Sequence, residues 1–136
     1  MAIRVVRLGS ARLHGEGLRI GTVRRPPRGV RKAEYATRNY YDLWLPALSP
    51  SAEAVTQALS ARLDIDWKRF VRRYRREMAA PSARTLVDLL AALSHQTNFS
   101  VGCYCGDESR CHRSVLRELL REHGALLMPT RAADVP

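Results

Sequence analysis

NFSVGCYCGDESRCHRSVLRELLREHGALLM, residues 98–128, is the stretch that decides the fold. Over 98–105 the pattern puts Phe99, Val101, Cys103 and Cys105 on one face, which predicts a strand. Gly106-Asp107-Glu108-Ser109 reads as a turn. A helix is expected over 109–123, with Ser109 as its cap, Val115, Leu116, Leu119 and Leu120 turned inward, and Gly124 as its stop. Ala125–Met128 reads as a final strand. Strand, helix and strand in succession imply a parallel sheet covered by helices. The expected fold is therefore α/β: one small domain over 1–128, with a mostly parallel sheet flanked by helices in Rossmann-like layers. A loose tail is expected over 129–136, where little can be buried.

Working outward, residues 2–8 with Ile3, Val5 and Val6 read as a first strand ending at Gly9-Ser10. Residues 18–24 alternate, with Leu18, Ile20 and Thr22 facing one way and Arg19, Gly21 and Val23 the other, which predicts a second strand. Residues 40–45 fit a short strand before Pro46. Three helices are expected between. Ser51 caps one that runs to Leu63, and Asp66 caps one over 66–79. Ser82, after Pro81, caps a third with Leu86, Leu89, Leu90 and Leu93 as its buried stripe. In the second, Trp67, Phe70, Val71, Tyr74 and Met78 form one apolar face, and Lys68, Arg69, Arg72, Arg73, Arg75 and Arg76 occupy the others.

The chain has 136 residues, enough to bury a core without disulfides or metal. No apolar run reaches the roughly 20 residues of a membrane span, and the first ten residues lack a signal-peptide pattern. Three cysteines without an export signal predict a reducing, cytoplasmic setting and no membrane partner. Lysine and arginine total 23 against 13 acids, a net charge of +10 that is mostly arginine. Such a balance suits nucleic acid or a nucleotide as partner, and it also arises from arginine-rich codon usage alone.

The segment Cys103–Arg113 holds all three cysteines together with His112 and Arg113. It lies at the carboxyl end of the predicted strand, where open α/β sheets bind ligands. A helix N-terminus there favours anions and lowers thiol pKa values. Several readings remain open. Cys105 or Cys111 is a thiolate nucleophile with His112 as base. Successive helical residues point about 100° apart, so His112 would face Cys105 more readily than Cys111. Alternatively Cys103, Cys105 and Cys111 hold structural zinc, Cys105 and Cys111 form a redox pair, or the cysteines simply pack as small apolar groups. A phosphatase-type loop is rejected. The position six after Cys105 is Cys111 rather than arginine, and Asp107 and Glu108 would repel phosphate.

Elsewhere, Arg24, Arg25 and Arg28 surround Pro26-Pro27 in a stiff, cationic loop suited to phosphate. Tyr40, Tyr41 and Trp44 suit either base stacking or the core. The resulting candidates are Cys105, Cys111 and His112 for chemistry, and Arg24, Arg25, Arg28 and Arg113 for anion or substrate contacts. No cofactor is required, zinc being the alternative. An enzyme acting on a nucleotide or nucleic acid is expected, with a non-catalytic nucleic-acid-binding module or a structural zinc protein as alternatives. Oligomeric state has no signal.

Cys105 and Cys111-His112-Arg113, with Arg24–Gly29 and the Trp67, Phe70, Tyr74 helix, resemble domain-of-unknown-function family 488, a group of bacterial and archaeal proteins. The resemblance spans about 2–124. It implies an α/β sheet fold and a shared Cys-His-Arg site outside which Cys103 falls, but no particular reaction. Many relatives carry an acid directly after the first signature cysteine; Gly106 stands there in this chain.

Overall fold

A computed structural model describes residues 1–129. Four strands form the sheet: β1 (Ile3–Arg7), β2 (Leu18–Gly21), β3 (Leu43–Trp44) and β4 (Phe99–Cys103). The helices are α1 (Ala52–Leu59), α2 (Asp64–Met78), α3 (Pro81–Leu93) and α4 (His112–Glu122). The strands lie in the order β1-β4-β2-β3, and every pairing is parallel. Val5, Val101 and Ile20 sit abreast at its centre. This is the small α/β domain expected. The predicted last strand contributes one bridge, Leu127 to Ile3, fixed by Ile3 N–H donating to Leu126 O at 2.9 Å and Met128 N–H donating to Ile3 O at 2.8 Å. Of the expected loose tail, residues 130–136 lie outside the described residues. Among those described, no helix is long and apolar enough to cross a membrane.

Parallel crossovers are right-handed, so connections that step opposite ways along a sheet run on opposite faces. From β1 to β2 to β3 the chain steps one way; from β3 to β4 and on to Leu127 it steps back. The return path carries α1 to α4, and their apolar sides meet Ile3, Val5, Ile20, Phe99 and Val101 in one core. The outward path carries only loops and short 3-10 turns, which cover the second face. That departs from helices on both faces. β4 therefore sits between two strands whose chains leave to the other face, and this divergence opens a crevice beyond its carboxyl end.

The second face is closed by a buried ion pair and by close backbone packing. Arg19 is completely buried. Its Nε and Nη2 donate to Glu16 at 2.9 Å each, and its Nη1 donates to Ser10 O and Asn39 O at 2.8 Å each. One side chain thereby ties both outward loops to β2. At Gly21 the Tyr41 ring lies against the strand, and a Cβ there would stand 2.4 Å from Tyr41 Cδ2.

The helices follow the sequence with shifts that have local causes. Along α2, Phe70, Tyr74 and Met78 are buried, with Trp67 and Val71 packed beside them, as expected. This helix begins at Asp64, before Asp66, because Asp66 Oδ2 reaches back from the first turn to accept from the N–H groups of Arg62 and Leu63 at 3.1 and 3.0 Å. Those captured groups also end α1 early, at Leu59. Ser51 caps α1 through Ala54 N–H. In α3, Pro81 takes the first position after Ala80, so Ser82 is inside the helix rather than its cap. The stripe of α3 is also rotated: Ala83, Val87, Leu90 and Ala91 face inward, and Leu89 is exposed. The side carrying two alanines suits the close approach of α3 to α2 and α4.

Candidate functional site

β4 ends at Cys103, which is buried; Tyr104 is half-buried and Cys105 exposed. The predicted helix from Ser109 is replaced by two pieces. Glu108–Arg110 is a 3-10 turn held by Asp107, whose Oδ1 accepts from Ser109 N–H at 2.9 Å and Ser109 Oγ–H at 2.6 Å. Cys111 is extended, with φ −127° and ψ 151°, and α4 starts at His112. Cys111 is therefore not a helical neighbour splayed away from His112. Its Sγ lies 3.8 Å from His112 Nδ1.

Both acids of the turn face away from the site. Asp107 serves the turn, and buried Glu108 accepts from Arg117 Nε at 2.8 Å, while Arg117 also donates to Met128 O at 2.9 Å. The N–H groups of Ser109, Arg110 and Cys111 are all spent within the turn, on Asp107 and Glu108. None of these three N–H groups is free to cradle a phosphate, which adds a structural reason against a phosphatase-type loop.

Cys103 and Cys111 form a sulfur pair beside Cys105. Cys103 Sγ and Cys111 Sγ are 2.7 Å apart, and Cys105 N–H donates to Cys103 Sγ at 3.4 Å. Cys103, which falls outside the Cys-His-Arg signature, is thus Cys111's direct partner. Hydrogen bonds from the Cys103 and Cys111 thiols pull the Cys105 thiol down to about 2, helped by His112 and Arg113. The same Cys105 bond pushes Cys103 far up, and Cys111 rises to about 11 as its bond to Cys105, burial and the Cys105 charge outweigh its bond to Cys103. These shifts favour ionisation of Cys105, the exposed sulfur, over Cys103 and Cys111.

His112 is held as a neutral ring. Burial pushes its pKa down to about 4, its Nε2–H donates to Thr22 O at 2.8 Å, and its ring meets Tyr74 edge-on at 5.5 Å. The donated Nε2 proton leaves Nδ1 as an acceptor facing Cys111. Arg113 is buried behind the turn, with Nη2 donating to Cys105 O at 2.6 Å and Nε unpartnered. It fixes the Cys105 backbone and places positive charge beside the thiolate.

An open cavity of about 260 Å³ lies over these residues. Cys103, Cys105 and His112 form its floor, and Val23, Pro50, Val55 and Tyr104 its mainly apolar walls. Arg24 and Arg25 line it as well. Tyr104 O–H donates to Arg25 O at 2.9 Å and ties the arginine loop to the site. The structure brings Cys105, His112, Arg24 and Arg25 to one cavity, with Cys111 beneath and Arg113 behind. Arg28, on the same loop, does not line it. Thr22, Tyr104, Pro50 and Val55 were missed by sequence reasoning; Tyr104, between two cysteines, was the only one with a visible signal. Tyr41 is core, edge-on to Tyr35 at 5.2 Å. A second hollow of about 360 Å³ near Tyr35, Tyr41 and Trp44 lacks any thiol or histidine in its lining.

Cys103, Cys111 and His112 offer ligand atoms within 4.8 Å of one another and could hold a metal ion. Tetrahedral zinc with bonds of about 2.3 Å keeps two thiolates about 3.7 Å apart. The 2.7 Å pair would have to open by about 1 Å to take it.

Fold and site together define a small parallel α/β domain with a Cys-His-Arg site where one strand turns into a helix. The chain belongs to the DUF488 family: the family DUF488-N3a, described as the active DUF488-N3 subclade, matches residues 3–124. No curated protein and no solved structure matches the chain.

Proposed function

We propose that this chain is an enzyme acting on a phosphate-bearing substrate of the nucleotide class, with Cys105 as its nucleophile. The observation that carries this reading is the single cavity shared by Cys105, His112, Arg24 and Arg25. Arginine forks suit phosphate, and apolar walls with one tyrosine suit a planar base. Because the N–H groups of Ser109, Arg110 and Cys111 are spent within the turn, the phosphate is a handle held by Arg24 and Arg25. The reacting atom then belongs to the apolar portion of the substrate, beside the Cys105 thiolate. His112 orients Cys111 rather than serving Cys105 as base, since its one free nitrogen faces Cys111. The description of the matched subclade as active agrees with an enzyme.

Calorimetric titration with nucleoside 5′-monophosphates tests this. Charged hydrogen bonds are worth about 1.5–3 kcal/mol, so Arg24→Ala/Arg25→Ala weakens binding by at least about tenfold. Equal affinity in the double variant, or no binding by the unaltered chain at millimolar ligand, overturns the reading. Non-catalytic nucleic-acid binding is favoured by one observation: Arg69, Arg72, Arg73 and Arg76 line a hollow of about 220 Å³ along α2. In that case oligonucleotide affinity falls steeply with salt and is unchanged by Cys105→Ser.

A further inference from the structure

We propose that Cys103 and Cys111 are a redox-active dithiol that closes to a disulfide when Cys105 reacts with a hydroperoxide entering the cavity. Four observations place the parts. Cys105 is exposed and lines the cavity, where a small oxidant meets it first. Cys103 lines the same cavity and receives the Cys105 N–H, so it stands next in line. Cys103 and Cys111 are both buried with sulfurs 2.7 Å apart, about 0.7 Å from the roughly 2.05 Å of a disulfide bond. His112 Nδ1 faces the Cys111 sulfur at 3.8 Å.

The steps balance as follows. The Cys105 thiolate attacks the peroxide oxygen; the O–O bond breaks, an alcohol or water leaves, and Cys105 becomes a sulfenic acid. The Cys103 sulfur attacks the Cys105 sulfur, and the hydroxyl leaves as water with the Cys103 proton. The Cys111 sulfur then attacks Cys103, forming the Cys103–Cys111 bond and releasing Cys105, which takes the Cys111 proton or stays a thiolate. In sum, two thiols and one hydroperoxide give one disulfide, one alcohol and one water. Cys105 is returned, so the oxidised chain keeps its nucleophile. The reaction needs no phosphate-bearing substrate, and it stands or falls apart from the reading above.

The test uses the full chain, reduced, with one equivalent of hydrogen peroxide, followed by alkylation and peptide mass spectrometry. Two of the three thiols disappear, the linked peptide is Cys103–Cys111, and Cys105 is found alkylated. Dithiothreitol restores all three. Cys105→Ser, at an exposed position, slows peroxide-driven closure by at least about tenfold, because the remaining thiols are protonated and buried. The same variant still forms the Cys103–Cys111 bond with diamide, which oxidises thiols directly. A final disulfide containing Cys105 overturns the proposal. So does a Cys105 sulfinic acid over a reduced Cys103 and Cys111, or stoichiometric zinc bound to the pair in the purified chain.

Discussion

If Cys105 is the thiolate, its alkylation is independent of pH across a range where ordinary thiols vary strongly. Hydrogen bonds from Cys103 and Cys111 hold it near 2, against an ordinary value of 9.0. At pH 6 an ordinary thiol of that kind is about 0.1% ionised, so Cys105 has about a thousandfold larger thiolate fraction. Its intrinsic nucleophilicity falls in compensation. With a Brønsted slope of about 0.4–0.5, the gap from about 9 to about 2 costs roughly a thousandfold. The two factors nearly cancel at pH 6, so the absolute rate there resembles that of a free thiol. Above pH 6 the free thiol gains about tenfold per pH unit while Cys105 stays level, and near pH 8 it is about a hundredfold slower. The shape of the profile is therefore diagnostic and its height is not. Iodoacetamide rates measured by peptide mass spectrometry, with a model thiol in the same tube, give both curves from pH 4 to 8. A Cys105 rate climbing about tenfold per unit from pH 6 to 8 refutes the Cys105 thiolate.

Three further outcomes follow from the same geometry. Glu16→Gln leaves the fully buried Arg19 without its charge partner and costs about 3 kcal/mol in urea unfolding; a loss below about 1 kcal/mol contradicts the role given to this pair. Gly17→Ala puts a Cβ 2.0 Å from the Asn98 carbonyl oxygen at φ +82°, so it lowers stability by about 3 kcal/mol or prevents folding, and a melting temperature equal to that of the unaltered chain refutes the close approach. The His112 pKa is about 4 in the folded chain against 6.5 ordinarily, because of burial. Its contribution is complete above about 6.5 and is lost as pH falls through about 4, by about 3 kcal/mol in all. The melting temperature of His112→Gln therefore falls less between pH 6.5 and 4 than that of the unaltered chain, and parallel curves refute it.

Much of this fold was legible because its core follows simple periodicities. The Trp67-to-Met78 face of α2 and the strands around Val5, Ile20 and Val101 needed only apolar spacing. What stayed hidden depends on partners far away in sequence. Arg19 reads as a polar strand residue and is fully buried, because Glu16, Ser10 and Asn39 surround it. Leu89 fits a helical stripe as well as Leu90 does, and only the packing of α3 against its neighbours decides which is covered. At the site, type and spacing point to Cys105, Cys111, His112 and Arg113 as candidates. The start of α4 was placed at Ser109, and that error of a few residues reversed the expected geometry. With Cys111 extended ahead of the helix, its sulfur meets both His112 and Cys103. A helix-start pattern cannot distinguish Ser109 opening α4 from Ser109 inside a 3-10 turn capped by Asp107. Arg24 and Arg25 were legible as a cationic loop, and their separation from Arg28 at the cavity was not.

The central claim is that Cys105, Arg24 and Arg25 serve one ligand. Alkylation of Cys105 at pH 6, with and without a nucleoside 5′-monophosphate at ten times its dissociation constant, tests it most directly. Bound ligand covers the thiolate, so the rate falls about tenfold in the unaltered chain. At the same ligand concentration, Arg24→Ala/Arg25→Ala loses most of that protection while its ligand-free rate is unchanged. Protection that survives in the double variant, or a thiolate that ligand at that concentration leaves uncovered in the unaltered chain, contradicts the claim.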